Sequence, residues 1–82
     1  MNACELNDAI NSFRANYSGR LWFAAHDICT GRFENVLTDL RRNRYPAAHA
    51  LDLIDTAEER GILAGITARV YRERVRRLEV PL

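Results

Sequence analysis

The amino-acid sequence predicts an all-α fold, a small orthogonal bundle of four or five helices in a single domain that spans residues 1–82. Two observations indicate this fold class. Apolar residues recur at helical spacing along the whole chain, and no segment alternates strictly between apolar and polar residues. With 82 residues, of which 48% are hydrophobic, the chain has enough apolar material for one core.

The first predicted helix has a capping signal at its start and a glycine at its end. Asn2, followed three residues later by Glu5, resembles a capping box, in which side chains satisfy free backbone groups. We expect Ser18 and Gly19 to end the helix, because glycine readily adopts a left-handed cap conformation. The apolar face of this helix comprises Leu6, Ile10, Phe13 and Tyr17.

The second helical segment begins near Arg20, and Gly31 divides its apolar residues into two stripes. Either Gly31 separates two short helices, or one long helix continues through the glycine at a cost of about 1 kcal/mol. The stripes are nearly in phase, so the pattern fits both arrangements, and we favour the break. They comprise Leu21, Ala25, Ile28 and Cys29 before the glycine, and Phe33, Val36, Leu37 and Leu40 after it.

Pro46 marks the clearest boundary. Proline suits the first position of a helix and disfavours the helical conformation at the preceding Tyr45. The helix that follows is expected to end at Gly61. Its apolar face comprises Ala47, Ala50, Leu51, Ile54 and Ala57, and Leu53 widens it.

The last helix is predicted to start near Ile62 or Leu63 and to end before Pro81. Its apolar face shifts partway by roughly 100°, the turn per residue of an α-helix, so we expect it to meet two neighbours. The first stripe is Leu63, Ile66 and Val70, and the second is Tyr71, Val75 and Leu78. The second stripe either packs on another helix of the chain or forms a dimer seam with a second subunit.

Composition excludes some functions. A net charge of +1 argues against both a strongly basic nucleic-acid coat and an acidic mimic of nucleic acid. The chain has no Lys, which is most simply the mark of a GC-rich bacterial or phage gene, although Arg also suits bidentate contacts. The two cysteines, the N-terminal residues and the absence of a long apolar stretch predict a cytoplasmic protein that does not enter a membrane.

The arginines of the last helix are the strongest binding candidates. The outward stripe is Arg69, Arg72 and Arg76, with Arg74 and Arg77 beside it. Guanidinium groups next to an apolar seam can bind phosphates, carboxylates or an acidic protein surface. The same residues also fit a solvated face, in which Glu73 supports the helix by pairing with arginines four residues away.

Residues 51–78 bear a partial resemblance to a helix-turn-helix, carried by the stretch 56–62 and the following stretch 67–74. The resemblance implies that the last helix would be a recognition helix offering Arg and Thr to bases or phosphates. Ala57 lies four residues before Gly61, as a tight helix crossing requires, and Ile62 and Val70 fit the apolar positions. Arg60 departs from the pattern, and a plain helical hairpin with a glycine cap accounts for the same residues.

Two further clusters could carry chemistry. Arg41, Arg42 and Arg44, beside Tyr45, form a basic patch suited to nucleic acid, although basic residues at a helix C-terminus are also expected from the helix dipole. His26 and Cys29, with Cys4 and His49, lack the spacing of a zinc site, so we expect no metal and no cofactor.

A catalytic site has little support in the sequence. His26 and Asp27 are adjacent and point to different faces of a helix. The pattern of acidic residues is typical of an exposed helix face, and these residues are Asp52, Asp55, Glu58 and Glu59. No phosphate loop and no nucleophile elbow occurs. We therefore expect no enzyme.

These patterns predict a small regulatory or inhibitory protein, bacterial or phage-encoded, that binds a partner protein. Leu21, Trp22 and Phe23 are consecutive, so one helix face cannot bury all three, and an exposed aromatic is a common interface anchor. The predicted binding residues are Trp22, Arg69, Tyr71, Arg72 and Arg76, with a homodimer as a further expectation. The alternative is a DNA-binding regulator that uses the degenerate helix-turn-helix at residues 51–78.

Overall fold

The computed structural model describes residues 1–79 as five helices with no strand among them, which confirms the predicted all-α fold. The predicted end of the last helix near Pro81 lies outside the described residues. In chain order the helices are α1 (Ala3–Arg14), α2 (Arg20–Cys29), α3 (Phe33–Arg41), α4 (Ala47–Glu59) and α5 (Gly65–Glu79).

The start of α1 is capped as predicted, but the helix ends earlier than predicted. Asn2 Oδ1 accepts a 2.8 Å hydrogen bond from the backbone N–H of Glu5, and Asn2 Nδ2 donates to Glu5 Oε1 at 3.0 Å. The helix ends at Arg14, because the chain turns there and the Tyr17 N–H donates to the Arg14 carbonyl at 3.0 Å. Gly19, the predicted end of α1, instead precedes the first residue of α2.

Gly31 separates α2 from α3, which confirms the favoured break. Its φ of +79° is a left-handed conformation, and the next N–H, that of Arg32, reaches back to the Asp27 carbonyl at 2.9 Å. This bond is the mark of a Schellman motif, which satisfies carbonyls at a helix end. The same motif follows α3, where Asn43 has a φ of +54° and the Arg44 N–H donates to the Asp39 carbonyl at 3.0 Å.

α4 begins one residue later than predicted and ends as predicted. Pro46 is the N-cap and not the first helical residue, and Gly61, with φ of +74°, follows the C-cap. The N–H groups of Ile62 and Leu63 both donate to the Ala57 carbonyl, at 2.9 and 3.2 Å. Because these two residues complete the end of α4, α5 starts only at Gly65 and not at Ile62 or Leu63.

One hydrophobic core joins all five helices. α2 packs against α1, α3 and α4, and α5 packs against α3 and α4. Fully buried large side chains fill the centre, and five buried alanines lie among them. The large residues are Phe13, Ile28, Val36, Leu37, Leu53, Ile54 and Val75, and the alanines are Ala24, Ala25, Ala50, Ala57 and Ala68.

The positive φ angles of Gly31 after α2 and of Asn43 after α3 predict the effect of substitutions on stability. Gly31→Ala should lower the free energy of unfolding by about 1–2 kcal/mol, because a Cβ is disfavoured at positive φ. No atom lies within 4 Å of the Cβ position at Gly31, so the cost is conformational and not steric. Asn43→Gly is the matched control and should raise stability. Urea unfolding followed by circular dichroism measures both, and a neutral G31A variant would contradict this role.

Burial of the Cys29 thiol gives a pH prediction. Burial raises its pKa from 9.0 to about 11, and Arg14 offsets part of that effect. The unfolded chain therefore ionises this thiol at lower pH than the folded chain. The stability that comes from keeping the thiol neutral is complete below pH 9.0 and is lost as the pH rises through about 11.

Urea unfolding of Cys29→Ala should accordingly show a weaker loss of stability over this alkaline range than the wild type. Cys4 is exposed, so Cys4→Ala is the control and should follow the wild-type profile. Equal alkaline profiles for the wild type and C29A would refute the assignment.

Candidate functional site

The outward surface of α5 is the candidate site. Ile66 and Val70 lie one helical turn apart and are 72% and 47% exposed. Ala68 and Val75, both fully buried, define the inward side of the same helix. At about 100° per residue, the residues on the side away from them form one arc. We call this arc the α5 outer face, and it comprises Ile66, Arg69, Val70, Glu73, Arg76 and Arg77.

Of the two apolar stripes of the last helix, the second packs within the chain, which is one of the two arrangements that the sequence left open, whereas Ile66 and Val70 of the first are exposed. Tyr71 stacks on Phe33 of α3, with ring centroids 3.9 Å apart and an interplanar angle of 2°. Val75 is 0% exposed in the core. Val75 is therefore not available to the predicted dimer seam of Tyr71, Val75 and Leu78, whereas Tyr71 is half-buried and keeps part of its surface exposed. Leu78 is exposed, and the binding of a partner by Tyr71 stays a prediction.

Ion pairs divide the arginines of α5 into two groups. Arg72 donates to Asp55 and to Glu58 of α4, at 2.9 Å in each case. The hydrogen bond to Glu58 is the main reason that the pKa of Arg72 is raised. Arg74 pairs with Glu34 of α3 and lies 5.9 Å from the centre of the Phe33 ring. Arg72 and Arg74 therefore connect α5 to its neighbours, and a contact of Arg72 with a partner stays a prediction.

Arg69, Arg76 and Arg77 form the second group. None of them makes an ion pair with another residue in the range 1–79. With Glu73 as the one acidic residue on the α5 outer face, the local charge is positive. The face therefore offers two apolar side chains surrounded by guanidinium groups, an arrangement that can bury apolar surface and pair with carboxylates.

Trp22 is not brought together with these arginines. Its ring stacks on His26, with centroids 5.6 Å apart and planes 6° apart, and the Arg14 guanidinium lies 5.0 Å from its centre. Arg14 also hydrogen bonds to His26 Nδ1 at 2.6 Å. Trp22 is half-buried in this cluster on α2, and its neighbour Phe23 is the exposed aromatic residue, at 61%.

The basic patch between α3 and α4 lacks an available aromatic residue. Arg41, Arg42 and Arg44 are exposed, but Tyr45 is only 9% exposed and cannot stack on a base. Burial is the main reason that the pKa of Tyr45 is raised, and its hydroxyl has no hydrogen-bond partner among residues 1–79. A shallow cavity of about 370 Å³ lies here, lined by Asn43, Arg44, Tyr45 and Pro46.

Sequence reasoning missed the exposure of Ile66 and Val70. The periodicity of α5 contains two apolar stripes of similar strength, so it cannot tell which one faces the core. A signal was present in the neighbouring residues, because Ile66 and Val70 share their arc with Arg69, Glu73 and Arg77. The other stripe shares its side of the helix with the small residue Ala68.

Comparison of the chain with protein-family models, curated proteins and solved structures finds no match. Within residues 1–79 no helix has the length and hydropathy to cross a membrane. In the same residues, no three side chains among His, Cys, Asp and Glu come together as a metal-binding group.

The difference between the paired Arg72 and the unpaired Arg76, within residues 1–79, predicts a difference in stability between their variants. Arg72→Met should lower the free energy of unfolding by more than the matched control does, because two carboxylates of α4 lose their partner. Arg76→Met, the matched control, should change it by less than about 0.5 kcal/mol. The effect of R72M should shrink in high salt, where ion pairs are screened. Urea titrations measure both variants, and equal effects would contradict the division.

Proposed function

We propose that this chain is a non-catalytic regulatory or inhibitory protein that binds a partner protein through the α5 outer face. The observation that supports the proposal is the exposed pair Ile66 and Val70 beside three arginines that are free of ion pairs within residues 1–79. Covering the exposed part of each apolar side chain contributes about 25 cal/mol per Å² of apolar surface removed from water. A helix face of this kind fits a groove or a second helix of the partner.

The partner surface should be acidic. Arg69, Arg76 and Arg77 flank the apolar pair, and guanidinium groups form strong paired hydrogen bonds with carboxylates. The non-catalytic part of the proposal rests on polar groups that are already engaged. His26 is bonded to Arg14, and Asp55 and Glu58 are bonded to Arg72. The small size and the Arg-only basic composition favour a phage or bacterial accessory gene as the source.

DNA binding through the same helix is the second candidate. In its favour, α4 and α5 follow one another across a short turn, as in the helix-turn-helix that residues 51–78 resemble. Two observations weigh against it. Arg72 and Arg74 are held by carboxylates of α4 and α3, and the exposed Asp55 of α4 lies against α5. Acidic groups at that position repel a phosphate backbone.

Affinity capture with matched baits tests the proposal. The bait Ile66→Ser/Val70→Ser should lose the proteins that the wild type recovers from a bacterial host extract, and Arg69→Glu/Arg77→Glu should lose the same ones. Both pairs are exposed, so circular dichroism should show unchanged folding. Leu6→Ser, on α1, is the control with a comparable exposed apolar change and should retain the partners. A partner that survives both double substitutions would refute this surface.

A DNA measurement separates the two candidates. Fluorescence anisotropy with a labelled duplex of about 20 base pairs should show no binding by the wild type at low salt. If instead the chain binds the duplex, loses affinity steeply with salt, and loses it further on Arg69→Glu, then the DNA-binding candidate replaces the protein-binding one.

A further inference from the structure

The outer face of α2 is a second exposed surface. Phe23 is 61% exposed on the side of α2 away from the buried Ala24, Ala25 and Ile28. Its ring meets Trp22 edge to face, with centroids 5.1 Å apart and an interplanar angle of 79°. Trp22 is itself held between other side chains, so Phe23 is supported from behind while its outer side faces solvent. Such a supported aromatic has little freedom left to lose when it is covered.

The charges around Phe23 are arranged symmetrically. Arg20 lies three residues before Phe23, and Asp27 lies four residues after it. At about 100° per residue, the three side chains fall within an arc of roughly 60°. Neither Arg20 nor Asp27 makes an ion pair with another residue in the range 1–79. Asp27 is half-buried, and burial raises its pKa, while a hydrogen bond from Asn35 and the nearby charges of His26 and Arg32 offset this in part.

The order basic, aromatic, acidic along a helix is complementary to itself when the helix is reversed. Arg20 and Asp27 are seven residues apart, which is about 10.5 Å along the axis, and their midpoint lies within about 1 Å of Phe23. In an antiparallel pair centred there, each Arg20 is opposite the other copy's Asp27, and the two Phe23 rings meet. Antiparallel helix dipoles add to the attraction.

We propose that two copies of this chain form a symmetric dimer by pairing their α2 helices antiparallel, with Phe23 at the two-fold axis and two reciprocal Arg20–Asp27 ion pairs. The occupant of this face is a second copy because the patch carries one positive and one negative group, whereas a surface built for an acidic partner carries an excess of one sign. No side chain caps the N-terminus of α2, and the second copy's Asp27 would lie beside it.

The dimer is expected to be weak. α2 has ten residues, so one face of it spans about 15 Å, and the pair buries less than the 1,200 Å² or so of a standard stable interface. The proposal does not depend on the α5 outer face, which lies on a different helix. A failed capture experiment with α5 variants leaves the dimer standing, and a monomeric chain leaves the α5 proposal standing.

Charge-swapped variants test the dimer. Sedimentation equilibrium of the wild-type chain should show self-association that grows with concentration up to about 1 mM, the range expected of a small interface. Arg20→Glu and Asp27→Arg should each weaken association at least tenfold, because each symmetric dimer would then contain two like-charge pairs. Phe23→Ser should weaken it similarly.

Mixing the two single variants supplies the decisive measurement. R20E and D27R together form two attractive pairs in a heterodimer, so the mixture should associate as the wild type does. The double variant R20E/D27R should also recover self-association. Circular dichroism identifies any variant that fails to fold, and recovery in the mixture also requires folded chains.

Three outcomes would overturn the proposal. These are a wild-type chain that stays monomeric up to about 1 mM, single variants that associate normally, or a mixture that remains monomeric. Loss of association on Ile66→Ser/Val70→Ser, with no effect of R20E, would place the contact between copies on α5 and not on α2.

Discussion

The packing of this chain depends on alanines at the contacts between its helices. Helices of nine to fifteen residues bury little surface each, so their stability comes mainly from tertiary packing. Interaxial distances depend on the side chains at the contact, and a methyl group permits a short one. Ala24, Ala25, Ala50, Ala57 and Ala68 are all buried in the core.

The alanine at position 68 also fixes what α5 shows to solvent. Once Ala68 and Val75 point inward, helical geometry directs Ile66, Val70 and three arginines outward. Stacking of Tyr71 on Phe33 and the ion pairs of Arg72 with α4 hold the helix in that rotation. The candidate site therefore follows from core packing, and it has no strained or unusual backbone of its own.

The features of the fold that could be predicted are those that depend on residues close together in the sequence. The Asn2 cap, the break at Gly31 and the cap at Gly61 each depend on residues within one helical turn, and all three appear in the structure. The choice between the two apolar stripes of α5 depends on Phe33, which is 38 positions before Tyr71 in the chain. The polar residues that share the arc of Ile66 and Val70 are only an indirect local signal of that choice, so the sequence left both packing within the chain and a dimer seam open for Tyr71 and Val75.

The separation between inward and outward residues on α5 has an evolutionary consequence. Five outward residues of α5 contribute little to the core or to the ion pairs that hold the helix, namely Ile66, Arg69, Val70, Arg76 and Arg77. Selection on stability therefore constrains them weakly. Substitutions there can accumulate and alter the chemistry of this surface while the chain still folds. The outward side of α5 can therefore change one residue at a time without loss of the fold.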